Sequence, residues 1–249
     1  MNIGGRALLN GIMFQSENYT VKARYDKEGN IFITEEQTPT ILDNKFVSFM
    51  SSLPFLRGIV ALFRILWSVR KIFIISFILV IPFTLLLQNY KVINDSNINE
   101  LTIGVQYLYI VLIIIIFWGI NRKYGKFHGA EHKVINTFKR YGKVELASAI
   151  KTTRISSRCG TNLVFIVVVL KLISLISGVN SPLVNLSIWL VAYEIFELQE
   201  TKLAFLSKPF ITIGEFLQKL LTTSEPTVYE LKPAVEGINH LIKLERTNN

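Results

Sequence analysis

A short motif with two histidines and a glutamate is the part of this sequence best suited to chemistry. Residues 127–133 read FHGAEHK and fit the pattern H-x-x-E-H. On a helix, His128 and His132 are four residues apart and share one face, where both could bind the same zinc ion. Glu131, beside them, could act as a general base toward a metal-bound water. The spacing therefore predicts a site of the inverted zincin type, with Glu131 as the catalytic residue.

A catalytic zinc ion normally takes three protein ligands and keeps a fourth position open. The third ligand could be Glu194 or Glu197, near the end of the last apolar segment, or the thiolate of Cys159, the single cysteine. The spacing does not select among them, and Glu194 could instead be an ordinary interfacial group. Without a metal, the histidines would bond locally and Glu131 would offset neighbouring lysines. The predicted metal residues are His128, His132, Cys159 and Glu194.

The elements around this motif are dominated by apolar segments. Half of the 249 residues are hydrophobic, and the mean hydropathy is +0.40. The apolar residues are concentrated in four runs, residues 72–90, 101–120, 161–178 and 183–196. The first two carry no charge and are about 20 residues long, which matches a hydrocarbon core of about 30 Å. We therefore expect four transmembrane helices.

The charge distribution predicts an orientation for these helices. Residues 121–159 contain ten lysines and arginines against Glu131 and Glu145, a net charge of +8 out of the +9 of the whole chain. Lysine and arginine near the ends of spanning helices stay on the cytoplasmic side. The sequence thus predicts a multi-pass protein of the inner cell membrane with both termini in the cytoplasm.

Shorter patterns complete the predicted architecture. Residues 19–25 alternate apolar with polar side chains, and a turn at 26–30 leads to residues 31–34, which predicts a β-hairpin. Residues 7–14 predict one further strand. Residues 53–69 have the layout of a basic amphipathic helix on the membrane surface, and residues 228–242 that of a soluble amphipathic helix. The predicted fold class is a mainly α polytopic membrane protein with a small N-terminal β-hairpin domain and amphipathic cytoplasmic helices.

The expected division of the chain follows these elements. It begins with a β-rich N-terminal domain (1–50), an interfacial helix (51–71) and a first transmembrane pair (72–120). A basic cytoplasmic loop (121–159), a second transmembrane pair (160–198) and cytoplasmic C-terminal helices (199–249) follow.

The basic segment permits a second function that needs no metal. Its lysines and arginines could contact the phosphates of anionic lipid or of ribosomal RNA, with aromatic residues such as Tyr124 and Phe138 among them. The alternative hypothesis is an adaptor or membrane-protein biogenesis factor whose basic loop docks a ribosome, a translocon or another membrane complex. Loss of partner binding after neutralising Lys139, Arg140 and Lys143 would favour this alternative.

Several motifs together resemble a known bacterial family. In chain order they are GGRALLNGIM at 4–13, PFLRG at 54–58, FHGAEHK at 127–133, RCGT at 158–161 and LTTSEP at 221–226. This series is similar to the YqhQ family of membrane proteins, a domain of unknown function sometimes described as predicted metal-dependent enzymes. The resemblance runs nearly from end to end. It implies a membrane location and a metal site at the cytoplasmic surface, with His128 and His132 as ligands.

The sequence departs from the pattern of that family at three places. Ser156 and Ser157 stand where the family usually has His-Pro, which removes one candidate metal ligand. Arg6 replaces the usual glutamine, and Asn10 replaces the usual glutamate and so removes a carboxylate. If the family binds metal through those groups, this chain would be a weak or inactive member.

Overall fold

The computed structural model describes residues 1, 3–38, 45–67, 124–179 and 181–247. The described residues up to 38 and from 124 onward belong to one compact unit, and residues 45–67 belong to a second. The second unit contains helix α1 (Lys45–Ser52) and helix α2 (residues 56–67). Residues 56–67 lie within the segment predicted to form a basic amphipathic helix, and they are helical as expected.

The N-terminal residues form a four-stranded antiparallel sheet in the order β1-β2-β3-β4. Its strands are β1 (Gly4–Leu8), β2 (Gly11–Gln15), β3 (Tyr19–Tyr25) and β4 (Ile31–Gln37). The predicted hairpin is confirmed, since β3 pairs with β4 and Tyr25 lies opposite Ile31. One strand was predicted at 7–14, but the structure divides this segment between the end of β1 and most of β2. Leu8 pairs directly with Gly11 across a two-residue turn.

The long C-terminal helix α8 (Val228–Thr247) covers one face of this sheet. Alternate residues of β2 and β3 point toward it, and Ile12, Phe14, Val21 and Ala23 are fully buried. A Cβ added at Gly237 of α8 would lie 2.9 Å from the Cβ of Ala23, so the glycine permits a close approach. The predicted amphipathic C-terminal helix is confirmed, and the surface on which it packs is the sheet.

The basic segment that was expected to be a loop is helical over much of its length. Residues 124–141 form helix α3, and Leu146–Lys151 form helix α4. The side chains of Phe127, Ala130 and Val134 on α3 enter the core between the sheet and α8, as does Ala149 on α4. These apolar residues alternate with the H-x-x-E-H residues, and they fix the rotation of α3 about its axis.

Three further helices form a second apolar cluster in the same unit. They are α5 (Gly160–Ile176), α6 (Pro182–Glu197) and α7 (Ala204–Leu217), followed by a 3-10 turn at Leu198–Glu200 after α6 and a π-helical turn at Gln218–Thr222 after α7. Buried Gln218 donates a hydrogen bond of 2.7 Å from Nε2 to Oδ1 of buried Asn162. This bond ties the end of α7 to the start of α5.

The predicted transmembrane architecture requires a correction. Among the described residues, no helix has the combination of length and apolar composition that a membrane crossing needs. Helix α5 has 17 residues and α6 has 16, and at about 1.5 Å per residue both fall short of a hydrocarbon core of about 30 Å. This finding contradicts the predicted four-span fold class and the multi-pass inner-membrane localisation with cytoplasmic termini. The spans predicted at 72–90 and 101–120 lie outside the described residues.

Candidate metal centre

Three of the predicted metal residues lie together in the structure. His128 and His132 stand on one face of α3 with their ring centroids 4.5 Å apart. Cys159, the N-cap residue of α5, places its Sγ 3.5 Å from Nε2 of His128. One potential ligand atom from each of the three residues lies within 4.8 Å of the other two. The structure therefore brings a cysteine and two histidines from two separate segments to one point.

The two glutamates considered as third ligands lie elsewhere. Glu194 is on α6 and does not belong to the group formed by the described His128, His132 and Cys159. Glu197, near the end of α6, accepts an ion-pair contact of 3.2 Å from Arg158. Of the three candidates that spacing left open, the geometry brings Cys159 to the histidines.

Both histidine rings are oriented by backbone carbonyl groups. Nδ1 of His128 lies 2.9 Å from the carbonyl oxygen of Thr222, and Nδ1 of His132 lies 2.8 Å from that of Arg154. A carbonyl oxygen can only accept a hydrogen bond, so each Nδ1 must carry the proton. Each Nε2 then keeps its lone pair, which is the arrangement that carbonyl partners impose on metal-binding histidines.

Burial keeps the three side chains uncharged at neutral pH. It lowers the pKa of His128, and it lowers the pKa of His132 to about 3, with the nearby His128 as a second cause. Burial also raises the pKa of the Cys159 thiol, although its hydrogen bonds with the hydroxyl and amide groups of Thr161 oppose this effect. A metal ion would thus meet two neutral imidazoles and would have to displace one thiol proton.

The separation between Nε2 of His128 and Sγ of Cys159 fits a tetrahedral zinc site. Zinc binds imidazole nitrogen at about 2.05 Å and thiolate sulfur at about 2.3 Å, and two such ligands at a tetrahedral angle are about 3.6 Å apart. The distance from His128 Nε2 to Cys159 Sγ is 3.5 Å. These two atoms need little movement to share one ion.

Residues 222–226 contact the groups that hold the two histidines in position. Thr222 supplies the carbonyl group that orients His128. Glu225 accepts ion-pair contacts of 2.6 Å from Lys133 and 3.2 Å from Nε of Arg154. Because Arg154 is also the residue whose carbonyl orients His132, Glu225 helps to hold that carbonyl in place. Helix α8 is capped directly after this segment, where the amide and hydroxyl groups of Thr227 donate to Oε2 of Glu230 over 2.8 and 2.6 Å.

A glycine inside the motif allows this segment to approach α3. A Cβ added at Gly129 would lie only 2.3 Å from the carbonyl oxygen of Ser224. One turn earlier, the carbonyl of Gly125 accepts a hydrogen bond of 2.8 Å from the Ser224 amide. The glycine of FHGAEHK thus serves the packing of 222–226 against the histidine helix.

Glu131 lies apart from the three-ligand group and faces strand β1. The Ala7 amide donates a hydrogen bond to its carboxyl group, which favours the charged form, but burial dominates and raises the pKa to about 8. Glu131 is therefore mainly protonated at pH 7 in the metal-free protein. A divalent cation nearby would lower that pKa and favour the carboxylate.

A cavity of about 260 Å³ opens beside the three ligand residues. Strand β1, helix α3 and the segment before α5 supply its walls, with Gly4, Gly5, Arg6, Tyr124, His128, Glu131, His132, Lys139, Ser156, Arg158, Cys159 and Gly160 among the lining residues. Two of the positions that depart from the family pattern, Arg6 and Ser156, lie in this wall. Asn10 does not line it, and its side chain donates to the carbonyl of Tyr25 over 3.1 Å.

Sequence reasoning missed the groups that orient the ligands. The carbonyl groups of Thr222 and Arg154 belong to the backbone, so no residue type marks their role. Gly5 was quoted only as part of an opening motif, although it lies against Glu131. The one available signal was the series of motifs itself, because the 4–13, 127–133, 158–161 and 221–226 segments all meet here.

Comparison with known proteins places the chain in a family. It belongs to the family described as "Protein of unknown function (DUF1385)", whose model matches residues 68–244 of its 249 residues. It is 22% identical to the "Uncharacterized protein YqhQ" of Bacillus subtilis (strain 168) over 307 aligned residues, which cover 97% of this chain and 92% of that protein. The resemblance drawn from the motifs is thereby confirmed. No solved structure matches the chain.

Replacing Gly5 by alanine should disturb Glu131. A Cβ at position 5 would lie 2.5 Å from Oε1 of Glu131, whereas at Gly4 the nearest atom would be 3.9 Å away. We expect Gly5→Ala to lower the free energy of unfolding by about 1–3 kcal/mol, as other overpacking substitutions do, and Gly4→Ala to change it by less than about 0.5 kcal/mol. Urea unfolding of both variants checks this, and equal effects would contradict the described packing.

Glu131 should make the metal-free protein less stable as the pH rises. Its pKa is about 8 in the folded state against an ordinary value of 4.5. Between these two pH values the folded state holds more protons than the unfolded state, so unfolding becomes easier with increasing pH. The free energy of unfolding of the parent protein should fall by about 2 kcal/mol between about pH 6.5 and 8.5, and this fall should be absent in Glu131→Gln. Below about pH 6.5 the neutral His132 has the opposite effect, because its depressed pKa costs stability as the pH falls.

Urea unfolding at those two pH values measures the difference. Glu28→Gln, a change at an exposed carboxylate, should retain the pH dependence of the parent protein. If Glu131→Gln kept that same dependence, the buried carboxyl would not be the group responsible.

Proposed function

We propose that the protein binds a divalent metal ion through Nε2 of His128, Nε2 of His132 and Sγ of Cys159. The observation that carries the proposal is the pair of hydrogen bonds from the Nδ1 atoms to the carbonyls of Thr222 and Arg154, at 2.9 and 2.8 Å. These bonds leave each Nε2 without a proton, and Nε2 of His128 lies 3.5 Å from the cysteine sulfur.

Zinc is the ion that this donor set matches best. Imidazole and thiolate ligands suit zinc, whereas magnesium and calcium prefer carboxylate and carbonyl oxygens. Two histidines and one cysteine supply three ligands, and the adjoining cavity of about 260 Å³ leaves space at the fourth position. Catalytic zinc sites have three protein ligands and an open position, while structural sites have four.

The finer proposal is metal-assisted hydrolysis in that cavity. A zinc ion with an open position polarises a carbonyl or phosphoryl oxygen and lowers the pKa of water. Glu131 lines the same cavity and is held by the Ala7 amide and by contact with Gly5. Its buried carboxyl group can accept a proton and return it to a leaving group, which is the role of a general base and acid.

Docking through the basic segment remains a prediction. Several cations of this segment already have partners within the chain, since Lys133 and Arg154 pair with Glu225, and Arg158 pairs with Glu197. Lys133 and Arg154 thus stabilise the metal centre. Lys139, Arg140 and Lys143, which the docking hypothesis names, are exposed, so docking would use different residues from the metal site.

Metal content of the purified protein tests the proposal. After equilibration with zinc and removal of excess ion, we expect about one zinc per chain, and almost none in His128→Ala or His132→Ala, because two ligands seldom hold zinc firmly. Cys159→Ser should also lose most of the metal. Elemental analysis gives the stoichiometry.

The third histidine of the chain provides a matched control. His240 lies on α8 and pairs with Glu35, away from the centre, so His240→Ala should retain one zinc per chain. Circular dichroism would show whether each variant is folded. A wild-type protein that takes up no zinc, or folded ligand variants that keep it, would contradict the proposed centre.

A further inference from the structure

The cavity beside the proposed metal centre has an excess of positive charge in its wall. Arg6 comes from β1, Lys139 from the last part of α3, and Arg158 from the segment that precedes α5. Glu131 is the one carboxylate among the described residues that line it. Three cations from three separate parts of the chain therefore converge on a space that also contains the metal ligands.

The charges are not equally available to a ligand. Arg158 shares its charge with Glu197 at 3.2 Å and Glu200 at 3.3 Å. Lys139 forms no ion pair with the residues that the structure describes, and its charge is one of the causes that lower the pKa of His132. Lys139 thus acts on the centre electrostatically while its ammonium group stays exposed.

Arg6, from β1, adds positive charge to another part of the cavity wall. Its effect reaches Tyr124, another lining residue, where it opposes the burial that raises the pKa of the phenol. Lysine and arginine outnumber the single carboxylate of the described lining by three to one. The cavity therefore attracts anions, and more strongly the greater their charge.

The space suits a small molecule. A cavity of about 260 Å³ is slightly smaller than the range of about 300–1,000 Å³ for ligand pockets. Gly160 at the first position of α5 also lines it, and no atom lies within 4 Å of where its Cβ would be. The positive end of the α5 dipole therefore faces open space in the wall, which adds to the attraction for an anion.

We propose that the substrate is a small phosphate-bearing molecule whose phosphate group lies between Lys139 and Arg6 and faces the open position of the metal ion. The inference rests on the proposed metal site and names the class of its substrate. Lysine contributes a compact charge to phosphate binding, and arginine contributes directed donors. Both kinds of group are present in this wall.

Inorganic phosphate is the probe for this inference. Titration calorimetry on zinc-loaded protein should show phosphate binding that weakens about tenfold in Lys139→Ala, which is the loss expected for one charge-assisted contact. Arg140→Ala is the matched control, because it removes the same charge from the next residue of α3, which does not line the cavity. It should bind phosphate as the parent protein does. Acetate, with a single charge, should bind at least about tenfold more weakly than phosphate.

The zinc content of each sample separates the two proposals. If the protein and both variants hold one zinc and Lys139→Ala binds phosphate unchanged, the substrate inference is wrong and the metal centre stands. Acetate binding as tight as phosphate would also overturn it, as would phosphate affinity that is identical with and without zinc. If the parent protein contained no zinc after loading, the proposed metal centre itself would be wrong.

Discussion

Two hydrogen bonds from buried histidine rings to backbone carbonyl groups determine how the candidate centre is arranged. The bonds from His128 to Thr222 and from His132 to Arg154 join α3 to two segments that are far away in the chain. They fix the tautomer of each ring and leave its Nε2 without a proton. Nε2 of His128 lies 3.5 Å from Sγ of Cys159. The ion pairs of Glu225 with Lys133 and Arg154, and the close approach at Gly129, keep those segments in place.

The same helix must also hold three adjacent ionisable residues inside the protein. Glu131, His132 and Lys133 are all buried, and each meets the cost of burial differently. Glu131 keeps its proton because its pKa is about 8, and His132 stays neutral because its pKa is about 3. Lys133 pairs with Glu225 and donates to the carbonyl of Ile150 over 2.8 Å. The apolar residues between them anchor α3 in the core, so the polar groups are held at fixed positions.

Sequence patterns were reliable where local periodicity decided the structure. The β3–β4 hairpin and α8 follow from alternation and from three- and four-residue spacing, and the pairing of His128 with His132 follows from helix geometry. The choice of Cys159 over Glu194 could not be made in advance, because it depends on how α5 starts beside α3. The orienting carbonyls of Thr222 and Arg154 have no signature in residue type. Hydropathy located α5 and α6 to within two residues at each end, but these helices contain 17 and 16 residues, fewer than the about 20 that a spanning helix needs.

X-ray absorption at the zinc edge is the most direct test of the centre, since it reports the atoms around the ion. For zinc-loaded protein, we expect one sulfur at about 2.3 Å and two imidazole nitrogens at about 2.0–2.1 Å, with a light atom at the fourth position. The Cys159→Ser variant should lose the sulfur contribution. A zinc environment of oxygen and nitrogen alone in the parent protein would contradict a centre built from His128, His132 and Cys159.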